Sequence, residues 1–200
     1  MNRNKMLKEH LDGIYISEDV KQATSKLKSK TDDISDAAKN GNVLRLNKIF
    51  EKLPEMSISQ LRQAARKQTK NELSKSEKLV NAKMKKAPDS IKLMIAIGHA
   101  SLNSMKNKTD DPELSSKIDD SIQKLDGVIT KIAGTSLTGG MSLILFASLL
   151  SVYVSASVYL AGIIAAGGGI MIEAAIILYL CGLLVKLFIG AKKVGKRMIS

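Results

Sequence analysis

The chain has 200 residues, with 31 Lys+Arg against 19 Asp+Glu, a formal net charge of +12 and a single Cys. One Cys and a non-periodic scatter of 14 Gly rule out disulfide-built and collagen-like folds. The charges also argue against an ordinary soluble globule. None falls within the 41 positions 132–172, and 174–185 is again uncharged, whereas about 20 residues cross a bilayer.

Residues 1–138 hold 26 Lys+Arg and 18 Asp+Glu and form the first of two expected regions, a polar, basic helical domain. Its opening MNRNKMLKEHLDG breaks up every apolar residue with charge and so does not read as a secretory signal. Ser17 and Thr31 are suitable caps for helices near 18–29 and 32–40, and Asn40-Gly41 is a stop. Near 43–53, Leu46, Ile49, Phe50 and Leu53 recur at helical spacing between the cap Asn42 and the stop Pro54. Ser57 with Gln60 three positions later is a capping box, and it opens a helix expected to run over 58–86.

On one continuous helix, Lys67, Lys78 and Lys85 share the face opposite Ile58, Leu61, Ala65, Leu79 and Val80, with Lys70 nearby. The simplest account of such a face is solvation. The functional account is contact with anionic lipid or with nucleic-acid phosphates. No aromatic lies between 51 and 138, so base stacking is not available to this surface.

A helix near 90–107, with Asp89 as its expected cap, carries the broadest apolar stripe of the first region: Ile91, Met94, Ile95, Gly98, Leu102 and Met105. Asp111 caps a helix near 112–133 with Pro112 at its first position. There Ile118, Ile122, Leu125, Ile129 and Ile132 form a four-three seam suited to a bundle contact or a homo-oligomer. No alternating β-branched run occurs in this region, so the expected fold is all-α.

The second region, 139–200, is expected to be a hydrophobic helical hairpin with a basic tail. Segments 141–165 and 170–189 are each long enough to span a bilayer, and Gly167-Gly168-Gly169 makes the turn between them. Glu173 and Lys186 read as anchors at a membrane interface, together with Lys192, Lys193, Lys196 and Arg197 of the tail. Ala147, Ser151 and Ser155 recur every four positions, and Ala175 and Gly182 lie seven apart. Such small residues are expected to pack helices within the hairpin or between copies. Lys and Arg flank the spans but avoid the turn, which puts both termini on the cytoplasmic or equivalent interior face.

Catalytic and cofactor signals are absent. Cys181 is alone, His10 and His99 lack partner motifs, and no phosphate-binding loop, nucleophile elbow or metal-ligand cluster occurs. The expected function is therefore a non-enzymatic, membrane-anchored structural or interaction protein. A membrane-perturbing protein (pore-forming, holin-like or a genome-delivery virion component) is the alternative, and a membrane tether for nucleic acid is the third reading. The lysine-rich composition fits a viral or phage source. A charged helical stretch ahead of a C-terminal hydrophobic hairpin resembles the layout of pore-forming bacteriocins. That resemblance, of layout alone, implies that the helices of 1–138 rearrange on a bilayer.

Overall fold

The computed structural model describes residues 18–133 and 143–199, of which 143 and 192–199 are described by backbone alone. Among these residues there are nine α-helices and no strand: α1 (18–28), α2 (Thr31–Lys39), α3 (Val43–Glu51), α4 (Ile58–Thr69), α5 (Asn71–Lys83), α6 (Asp89–Lys108), α7 (Pro112–Ala133), α8 (Leu143–Ala166) and α9 (Met171–Ile199).

Several helix starts follow from local chemistry. The Asn42 side chain accepts the Arg45 N–H at 3.0 Å and starts α3. Ser57 and Gln60 form the reciprocal box at α4, with Gln60 N–H donating to Ser57 Oγ at 3.2 Å and Ser57 N–H donating to Gln60 Oε1 at 2.7 Å. Asp111 Oδ1 accepts the N–H groups of Glu113 and Leu114, at 2.9 and 3.2 Å, and caps α7. At α6 the expectation needs correction. Pro88 occupies the cap position, and Asp89 is the first helical residue with no side-chain cap bond. Its carboxylate instead meets Lys92 Nζ at 3.1 Å.

The expected helix over 58–86 is two helices. Lys70 adopts φ 48°, in the left-handed region, and ends α4. The chain then doubles back. Arg62 and Glu77, 15 residues apart, form an ion pair of 2.7 Å, whereas on one straight helix they would be separated by about 22 Å. No Gly or Pro marks this break.

The hairpin is built into the bundle, α9 at its centre and α8 beside it with one face outward. α8 packs against α9, α2 and α7, and α9 packs against α6, α3 and α4, while α5 covers the outer side of α6. Residues 173–182 of α9 are buried without interruption. A helix apolar all round is stable in water only if protein surrounds it. Here the apolar stripes of the amphipathic helices do so, with Ile34, Leu46, Ile95, Leu102, Ile118 and Leu125 each at most 1% exposed. Four of the five residues of the four-three seam, Ile118, Leu125, Ile129 and Ile132, are thus enclosed within the chain itself.

Two glycines and two aromatic rings set the closest approaches. A Cβ added at Gly98 of α6 would collide with the Tyr153 hydroxyl of α8, which donates to the Met94 carbonyl at 3.3 Å. A Cβ at Gly182 of α9 would lie 2.7 Å from the Phe50 ring of α3. Within the hairpin, Phe146 and Phe188 stack with centroids 5.9 Å apart.

Candidate functional site

The hairpin is the feature that the rest of the molecule is arranged around. α8 and α9 are both long and apolar enough to cross a membrane, the stretches being 23 and 21 residues. Gly167, at φ +74°, closes α8 as glycine readily does, and its N–H donates to the Ile163 carbonyl at 3.1 Å. Residues 165–169 form an exposed, uncharged tip.

Glu173, two residues into α9, departs from the interfacial position expected of it. Its side chain is 0% exposed, inside the bundle. Lys108 Nζ, at the end of α6, meets its Oε1 at 2.5 Å. Ser104 Oγ, one turn earlier, donates to the same oxygen at 3.1 Å. Gln68 Nε2, on α4, donates to Oε2 at 3.3 Å. Lys108 also donates to the Gln68 carbonyl at 3.3 Å. This clasp ties three helices together through the one carboxylate of the hairpin. Breaking a buried pair costs about 3–5 kcal/mol. Lys108 remains 39% exposed and keeps part of its hydration, so this clasp belongs at the low end of that range or beneath it.

Lys186, near the middle of α9 and well away from the tip, is partly buried, with its ammonium 3.6 Å from Glu55 Oε1. An open crevice of about 410 Å³ lies there, bounded by Phe50, Pro54, Tyr179, Leu183 and Lys186. The side chains of Lys192, Lys193, Lys196 and Arg197 lie outside the described residues, although their backbone continues α9 as helix to Ile199.

The small residues divide by helix. Ala147, Ser151 and Ser155 face outward on α8, away from the hairpin contact expected of them. The Ser155 hydroxyl donates back to the Ser151 carbonyl at 2.7 Å, which removes a donor from an otherwise uncharged stripe. Ala175 and Gly182 are buried on α9, and Gly182 accommodates Phe50 of α3 rather than a residue of α8.

Lys67, Lys70, Lys78 and Lys85 are all exposed. The break at Lys70 divides them between α4, its cap, α5 and the segment beyond α5. The argument that placed them on one helical face therefore does not apply.

A second polar cluster, not anticipated from the sequence, joins α5, α6 and α7. Ser76 Oγ lies 2.8 Å from His99 Nδ1, and Asp126 Oδ1 lies 3.6 Å from His99 Nε2. Asn103 Nδ2 donates to the His99 carbonyl at 2.8 Å. Burial pushes the His99 pKa below its ordinary value. The Asp126 and Glu72 carboxylates oppose that shift and Lys83 adds to it. Ser76 is 1% exposed, so no substrate can reach its hydroxyl. The arrangement is a buried polar tie between helices.

Among the described residues no group of three or more His, Cys, Asp or Glu is placed to hold a metal ion, and Cys181 is a buried free thiol. No family model, curated protein or solved structure matches the chain.

Proposed function

We propose that this protein is a non-enzymatic membrane-inserting protein that carries its membrane hairpin sheltered in a basic helical bundle and releases it at a bilayer. One observation carries this reading: a hairpin of two span-length helices is enclosed by amphipathic helices and tied to them through a single buried carboxylate. A constitutive anchor meets lipid directly and has no use for such a cover. A hairpin that must remain soluble before it meets a membrane does. This favours the membrane-perturbing reading over the permanent anchor. Lys124 and Lys131 before the spans, with the basic tail after them, support a hairpin that enters tip first and leaves both termini on the side of entry.

A second reading has its own support. Half of the α8 stretch and 61% of the α9 stretch are buried, as expected for the core hairpin of a soluble bundle.

Vesicle flotation followed by a carbonate wash separates the two. The full chain should float, resist carbonate extraction and leave 144–189 protected from protease. Release of an encapsulated dye would identify perturbation, and insertion without release would restore the anchor. Recovery of all the protein in the carbonate supernatant, whatever the vesicle composition, overturns the membrane reading in favour of the soluble bundle.

A further inference from the structure

We propose that the hairpin tip is a docking surface for anionic phospholipid, and that Lys108 exchanges its Glu173 partner for a lipid phosphate there. The inference rests on the reading that the hairpin enters bilayers, and it adds what the bilayer must contain and how contact opens the bundle.

One lysine stands at the tip itself, and two further helices, α4 and α6, end beside Glu173 in the first turn of α9, each with a lysine of its own. Lys28 is the last residue of α1, and its Nζ lies 4.0 Å from the point where a Gly167 side chain would begin. Lys108 is the last residue of α6 and binds Glu173 and the Gln68 carbonyl. Lys70 is the C-cap of α4, two residues beyond Gln68, and is exposed. The carbonyls that end a helix favour cations, which helps hold this rim in place. Asp110 and Asp111 follow Lys108 in the chain, and the carboxylate of Asp111 is engaged in capping α7.

The surface inside the rim is uncharged: Ala165, Ala166 and three glycines, with Ile164 and Ile170 buried just behind. Cations around an apolar tip match a phosphate layer with hydrocarbon beneath it. A nucleic acid would use the lysines and leave the apolar tip without a counterpart. Lys108 belongs both to the rim and to the clasp. A phosphate that captures the ammonium of this partly exposed side chain deprives Glu173 of its only cation among the described residues and loosens the hold of α6 on α9. Docking and release are thus a single event.

The test uses the full chain with vesicles of phosphatidylcholine alone or mixed with increasing phosphatidylglycerol. Wild type should resist carbonate extraction only when phosphatidylglycerol is present. The double variant Lys28→Gln/Lys70→Gln leaves the clasp intact and should unfold like wild type, yet bind the acidic vesicles roughly thirtyfold more weakly, since each lysine near an acidic leaflet contributes about a factor of five. Glu173→Gln, which keeps an acceptor for Ser104, should lower the phosphatidylglycerol fraction needed for insertion. Equal insertion of wild type into both vesicle types would overturn the headgroup inference and leave the membrane reading standing, whereas failure to insert into any vesicle removes both. An unchanged phosphatidylglycerol requirement in Glu173→Gln sinks the exchange. Retention on duplex DNA without vesicle binding would assign the rim to nucleic acid instead.

Discussion

The two helices of the hairpin look interchangeable by hydropathy and are treated very differently by the fold. α9 is buried all round from 173 to 182 and holds the one buried carboxylate among the described residues. α8 buries Leu149, Tyr153, Leu160 and Ile164, and turns Ile144, Ala147, Ser151 and Ser155 outward. Hydropathy averages a helix over its circumference, whereas packing depends on its faces. Ala147, Ser151 and Ser155 barely lower the average, yet they share one side and make a face that water tolerates. α9 has no such face until Lys186, and so it occupies the centre.

The sharpest way to break this comparison is to apply the same kind of truncation to both helices. Leu180→Ala in α9, at a fully buried site, should cost about 2–5 kcal/mol in urea unfolding. Ile144→Ala in α8, where the side chain is 78% exposed, should change stability by no more than about 0.5 kcal/mol. Comparable losses at both sites would mean that α8 is covered in solution.

A smaller effect is expected where α8 docks. Gly98→Ala places a methyl group against the Tyr153 hydroxyl and should cost about 1–3 kcal/mol through overpacking. Combining it with Tyr153→Phe, which removes the colliding oxygen, should recover part of that loss. If the two losses simply add, the notch at Gly98 is not what seats α8.

The next effect is a dependence on pH. The folded protein favours neutral His99, while the unfolded chain takes up its proton near 6.5. The stability due to this preference is complete above that value and declines as pH falls below it, because the unfolded state then binds more protons. Asp126 Oδ1, buried without a hydrogen-bond partner, would gain one from a protonated ring and limits the decline. Urea midpoints followed from about pH 7.5 to about pH 5 should fall, and the fall should be shallower in His99→Gln. Equal slopes would remove His99 as the source.

The smallest effect is expected on the outer surface. Lys78→Gln with Lys85→Gln should leave the thermal midpoint of the full chain unchanged, since exposed charges contribute little to folding. A clear loss would mean that these lysines hold structural partners.

What could be read in advance follows the range of the interactions. The caps at Asn42, Ser57 and Asp111 and the turn at Gly167 act within four residues, so sequence spacing reveals them. The seam of α7 was legible from its period, and its partner was not. The Glu173 clasp draws on groups 65, 69 and 105 residues away, and local chemistry suggested only the interface position that the fold does not use. The Lys70 break gave no signal because its neighbours are polar and compatible with helix. Gly98 carried one that the stripe alone did not turn into a contact: a glycine inside a helix costs about 1 kcal/mol relative to Ala, and only the fold shows that Tyr153 occupies the space it leaves.

Cys181 gives the enclosure of α9 a practical consequence. It is the only thiol in the chain, and it is fully buried near the centre of that helix. A water-soluble disulfide reagent can therefore react only with molecules whose bundle has opened. When reclosing outpaces reaction, the rate of labelling reports the population of open molecules, and when reaction is the faster step it reports the opening rate itself. The protein thus carries its own chemical clock for opening in solution, and because Cys181 lies midway along the 171–191 span, entry of the hairpin into a bilayer should shield the thiol again, so that slower labelling with vesicles present marks insertion without any engineered probe.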